Sequence, residues 1–285
     1  MIGGNMASKV FSTGFVFFSL GCASAFAHEL PTGDGKVSSE PMAGYVFSCQ
    51  QRFNPNAPGA RGSGSWISGN SYDPARKPVV DGSVKWASKI SISVDGGERI
   101  IRANNLPANP TGNFPIARSD DAYTYDRNPN RISAHKMVLR LPAIPEPTRS
   151  ATCVPMGMIG FTLSGAAIFN ALDAAGRDAP AHEIQDACSG HPERTGQYHY
   201  HSLSNCFDDK RESGHSSLVG YALDGFGIFG YFGENGKLLT NTDLDACHGH
   251  SHEILWDGER RVMYHYHTTA AYPYTIGCFR GAPAR

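Results

Sequence analysis

The tetrad Tyr198-His199-Tyr200-His201 returns later in the chain as Tyr264-His265-Tyr266-His267, and this pair constrains the fold more than any other feature. Strict alternation of tyrosine and histidine is a strand signature. It puts both imidazoles of a tetrad on one face and both phenols on the other. Three further blocks recur in the same order. Gly160-Phe161-Thr162-Leu163-Ser164-Gly165-Ala166-Ala167-Ile168-Phe169-Asn170 returns as Gly220-Tyr221-Ala222-Leu223-Asp224-Gly225-Phe226-Gly227-Ile228-Phe229-Gly230. Asp186-Ala187-Cys188-Ser189-Gly190-His191 returns as Asp245-Ala246-Cys247-His248-Gly249-His250, and Cys206-Phe207 as Cys278-Phe279. Four blocks in one order, with length changes only between them, predict a duplicated C-terminal half.

The remainder also reads as strand and turn. Val84-Lys85-Trp86-Ala87 and Lys89-Ile90-Ser91-Ile92-Ser93-Val94 alternate. The second run ends at Asp95-Gly96-Gly97, a hairpin turn, before Glu98-Arg99-Ile100-Ile101-Arg102 resumes. Arg140-Leu141-Pro142-Ala143-Ile144-Pro145-Glu146-Pro147 is extended or at a sheet edge, because proline cannot donate to a central ladder. The fold class expected is mainly β: antiparallel sheets, an internally duplicated C-terminal half with pseudo-two-fold symmetry, and disulfide staples. Only 18% of residues are charged and the formal net charge is −1. Electrostatic capture of nucleic acid or of an anionic membrane needs a basic excess that this chain lacks.

Residues 1–27 read as a signal peptide, with Lys9 in the basic region, an apolar run over residues 10–20, and Ala25-Phe26-Ala27 at the cleavage site. A lipoprotein anchor at Cys22 is disfavoured, because Ser19 sits where an aliphatic residue is required. The apolar run is too short to span a bilayer and no later stretch suffices. Secretion or periplasmic export after cleavage near Ala27 is the expected localisation. Residues 28–44 read as a flexible N-terminal segment, and residues 45–285 as one domain. That domain divides into an N-terminal β part (45–150), a first repeat (151–210) and a second repeat (211–285). Cleavage leaves Cys49, Cys153, Cys188, Cys206, Cys247 and Cys278, an even set that fits disulfides in an oxidising compartment. Each copy has one cysteine before its tetrad and one after. The expected pairs are therefore Cys188–Cys206 and Cys247–Cys278, with Cys49–Cys153 tying the N-terminal sheet to the duplicated part.

Ten of the twelve histidines lie between His182 and His267. Two imidazoles on one strand face can reach a shared ion, and a Gly-His beside a half-cystine offers a third ligand. The expected ligands are His191, His199 and His201 in one copy and His250, His265 and His267 in the other. The tetrads are expected to converge so that their nitrogens trap copper or zinc. His182, His215, His248 and His252 occur in one copy each and read as surface or loop residues; His135 stands alone. A chain beginning at His28 would present an amino group and an imidazole to copper. Asp224 replaces Ser164 of the first copy and is the candidate catalytic residue, against the plainer reading of an Asp-Gly turn. Glu253 is a weaker candidate base, whereas Asp186 and Asp245 read as loop-fixing residues.

These blocks resemble the YHYH domain family. The resemblance also takes in Asn104-Asn105-Leu106-Pro107, Gly112-Asn113-Phe114-Pro115 and Pro273-Tyr274-Thr275-Ile276-Gly277-Cys278-Phe279. It departs at Asn109, where the family pattern has His, and at Gly227, where Pro is common. The resemblance implies an exported domain and transfers no catalytic residue. Three functions stand open at this point: an exported copper or zinc binder, a metal-dependent hydrolase or oxidoreductase, and a non-catalytic module with an architectural His–Tyr network. Whether the chain is an enzyme, and which partners it has, are not legible from the residues.

Overall fold

A computed structural model describes residue 1 and residues 29–57, 64–204, 206–207 and 214–284. The export signal, with Lys9, Cys22 and Ala27, and the copper-chelating role of His28 lie outside the described residues. Five short strands lead the fold: β1 (Leu30–Pro31), β2 (Val37–Ser38), β3 (Val46–Phe47), β4 (Ile67–Ser68) and β5 (Ser71–Tyr72). β1 pairs with β5, and β2 runs parallel to β3. β1 and β2 lie within the segment 28–44 that the sequence reads as flexible. Besides these pairings, the Gly33 N–H donates to Asp178 at 2.7 Å and the Asp178 N–H to Asp34 at 3.0 Å. Polar contacts to the distant chain thus join the packing of Leu30 and Val37 in holding this segment.

Strands β6 (Ile90–Asp95), β7 (Glu98–Ala103) and β8 (Met137–Pro142) form an antiparallel sheet with β7 central. Gly96 and Gly97 take φ of 56° and 83°, the left-handed values that a two-residue hairpin turn demands. The proline-bearing β8 lies at an edge, as it must. The run from Val84 to Ala87 forms no strand; Val84 alone makes a bridge, to Thr111.

The principal sheet has eight strands: β9 (Met158–Thr162), β10 (Ala167–Phe169), β11 (Gly190–Pro192), β12 (Tyr198–Tyr200), β13 (Leu218–Ala222), β14 (Gly227–Phe229), β15 (Gly249–Trp256) and β16 (Glu259–His267). Their order is β11-β12-β10-β9-β13-β14-β16-β15, so matching sequence blocks occupy matching positions from either edge. At the centre β9 and β13 run antiparallel, with Phe161 opposite Tyr221. A Cβ on Gly220 would stand 2.4 Å from the Phe161 carbonyl oxygen, which explains why this block opens with glycine. β10–β12 and β14–β16 are parallel pairs. The connections over residues 170–197 and 230–258 are long enough for such crossovers, and the first carries the short helix α1 (Ala179–His182).

One face of this sheet carries Phe161, Ala167, Tyr221 and Phe229, packed with Ile101 and Leu141 of the smaller sheet. The other carries Ile159, Ile168, Ala222, Ile228, Tyr264 and Tyr266, while Tyr198 and Tyr200 pack with Leu106 and Ile132. Each buried isoleucine, leucine or phenylalanine among them contributes about 1.5–3 kcal/mol. Disulfides join Cys49 to Cys153, Cys188 to Cys206 and Cys247 to Cys278. Among the described residues no helix is long and apolar enough to cross a membrane.

Candidate metal centres

The antiparallel ladder of β11 and β12 sets His191 directly opposite His199, and His201 follows two residues on, along the same side. The three rings gather on one another, His191 and His199 with centroids 4.6 Å apart. Phe169 stacks on His199 at 3.8 Å. The residue after α1, Glu183, completes the group. Its Oε2 lies 3.1 Å from the Nε2 of His191 and 3.1 Å from that of His201. The Nε2 atoms of His199 and His201 are themselves 3.1 Å apart. Ligands about 2.0–2.1 Å from a tetrahedral ion stand roughly 3.3 Å from one another, close to these three separations.

The other ring nitrogens fix the tautomers. His199 Nδ1 faces the Gln197 carbonyl at 3.2 Å, and His201 Nδ1 faces that of Asn170. A proton on each Nδ1 leaves the Nε2 lone pairs directed inward, as metal-ligating histidines require. Burial, then the neighbouring His191 and His201, push His199 well below the usual imidazole range. Burial alone would raise Glu183, but His191 and His201 outweigh it and hold the carboxyl well below its ordinary value. For His191 burial is outweighed by the Glu183 charge, and the ring is held above its usual value.

The second group is larger: His215, His250, His252, His265 and His267 bring one ligand atom each within 4.8 Å of all the others. His250 faces His265 across the β15–β16 ladder. The hairpin is longer than its counterpart, so β15 continues and presents His252 on the same side; His252 and His265 bring their Nε2 atoms to 3.1 Å. In the first copy β11 stops at Pro192, and Glu193 instead accepts the Thr195 and Gln197 amides in a turn. His215 enters from the segment before β13 and packs against Phe229. His265 and His267 donate from Nδ1 to the carbonyls of Met263 and Gly230. The Nε2 atoms of His250 and His267 are buried with no hydrogen-bond partner. Burial and the crowding of rings depress His265 and His267 strongly and bring His250 to about 4.

All six histidines expected as ligands therefore fall into these groups, but the tetrads do not converge on one another. Five strand spacings separate β12 from β16, roughly 24 Å at about 4.8 Å each. The symmetric strand order sends each tetrad toward its own edge. His215, His252 and Glu183 join the groups unanticipated. The alternation His250-Ser251-His252 carried the signal for His252; nothing in the sequence marked Glu183 or His215. His182 lies outside, bonded to Asp34 at 2.8 Å, and His248 meets the Thr269 hydroxyl at 3.1 Å.

The carboxylates have other tasks. Asp224 sits on the tyrosine face, accepting from the Tyr266 hydroxyl at 2.6 Å and the Gly281 amide at 2.9 Å. The structure places it away from both histidine groups, as a buried turn residue. Asp186 accepts from the hydroxyl of Tyr198 and the Cys188 amide, and Asp245 likewise from Tyr264 and Cys247. Asn109 accepts from the Tyr200 hydroxyl at 2.6 Å, so this departure from the family pattern falls on the tyrosine face. Glu253 is exposed and paired with Arg260.

A family model described as YHYH protein matches residues 138–237. That span contains the whole first centre, together with His215. No curated protein and no solved structure gives a significant match.

Proposed function

We propose that this chain, a YHYH protein by its family match, is an exported binder of transition-metal ions, zinc or copper, at two separate centres. The observation that carries the reading is the meeting of His199 and His201, beside His191 and Glu183, through Nε2 atoms that as neutral rings cannot satisfy one another. With Nδ1 of His199 and His201 turned to backbone carbonyls, their Nε2 atoms are both acceptors at 3.1 Å. A carboxylate oxygen beside them adds a further acceptor. A hydrogen-bonded architectural network would pair donors with acceptors; this arrangement is relieved by a cation. Three buried imidazoles, with the Glu183 carboxylate beside two of them, support a structural or storage site shut off from water. The leader pattern and three disulfides support export.

The test is elemental analysis of the untagged chain isolated from its native compartment, beside the His199→Gln/His201→Gln variant. The expected result is bound transition metal in the parent and loss of one ion per chain in the variant. A metal-free native protein that takes up neither zinc nor copper on titration overturns the proposal.

A further inference from the structure

The two centres lie on matching sequence blocks but differ in charge, ligand number and access. The first has three imidazoles and one carboxylate, and His191, His199 and His201 are all buried. Its anionic ligand cancels half the charge of a divalent ion, as a site removed from water requires. Four donors also match the tetrahedral preference of zinc. The second has five neutral imidazoles. Five nitrogens exceed what a tetrahedral ion uses and suit the higher, tetragonal coordination of copper(II). Its residual charge needs polar surroundings. These exist at the rim: His215, His250 and His252 are half-buried, and exposed Glu234 stands 3.9 Å from His252 Nδ1.

We infer that the centres take different ions: the His191–His199–His201–Glu183 centre retains zinc, and the five-histidine centre is an exchangeable copper site loaded from the β15 edge of the sheet. This rests on the metal-binding reading above. It goes beyond that reading in assigning an ion class and an exchange behaviour to each centre. The buried, orphaned Nε2 atoms of His250 and His267 are the independent sign that the second cluster is built to hold something.

The experiment uses the full exported chain, untagged and with its disulfides intact. The chain is stripped of metal and then offered zinc(II) and copper(II) together. Elemental analysis and electron paramagnetic resonance are expected to find both ions, with nitrogen hyperfine structure on the copper signal. His215→Gln/His252→Gln is expected to abolish that signal while zinc is retained, and the retained zinc shows that the variant has folded. Glu183→Gln/His201→Gln is expected to do the reverse. A moderate chelator should remove copper at least about tenfold faster than zinc. Loss of the copper signal in the Glu183/His201 variant alone, or equal release of both ions, overturns the assignment while leaving metal binding intact. Failure of both centres to take up zinc or copper overturns the metal-binding reading itself.

Discussion

At the scale of the residue, each tetrad divides its labour between its two faces. The histidines converge on prospective ions, and the tyrosines hold the loops from which the remaining ligands come. Tyr198 donates to Asp186, and the same carboxylate accepts the amides of Cys188 and Gly190, the residue just before His191. Burial pushes Asp186 upward, so every donor matters to it. Tyr198→Phe removes one donor from a buried acceptor and is expected to cost about 1–3 kcal/mol, read by urea unfolding. The alternating tetrads made the direction of these side chains legible, since period two follows from the pleat alone. Glu183 was not legible, because its place depends on α1 and the long crossover folding back over β11. Sequence distance hides such a contact.

Among the elements, hairpin length decides what each centre contains. β11 ends at proline after three residues, whereas β15 runs on for eight and carries His252. The lengths of strands between turns were the least legible feature, for the same alternation persists whether or not a partner strand continues. The N-terminal segment shows a second case. It is fastened through Asp178, which the Gly33 amide and the Tyr274 hydroxyl reach at 2.7 Å and 2.8 Å. Burial, with a contribution from Asp34, raises Asp178 to about 6 despite these donors. The folded state therefore binds this proton more tightly than the unfolded chain, whose aspartate titrates near 3.9. Its contribution to stability is full below about pH 4 and is lost as pH rises to about 6, on the order of 3 kcal/mol. Asp178→Asn is expected to flatten that part of the profile, as measured by urea unfolding at about pH 4 and about pH 7.

For the whole molecule, the eight-stranded sheet joins two chemically distinct ends through a shared hydrophobic middle. The repeated blocks made the matching strands legible. The distance between the tetrads was not, because strand order is set by how the crossovers pack. Metal binding at either end, as proposed, would couple to global stability. An ion present at about 100 times its dissociation constant contributes about 2.7 kcal/mol. Stripping one centre is then expected to lower the melting temperature by roughly 5–10 °C in a chain of this size, reversibly on resupply, as scanning calorimetry would show.

Among the described residues the outermost strands β11 and β15 have no neighbour on one flank. Such borders are where a sheet opens first and where stray chains add on. Both borders supply candidate ligands, His191 on one and His250 and His252 on the other, so a bound ion would stitch each to the strand inside it. A cation at each rim would thus work as a rivet, and a chain stripped of it would fray from its margins inward, exposing adhesive backbone.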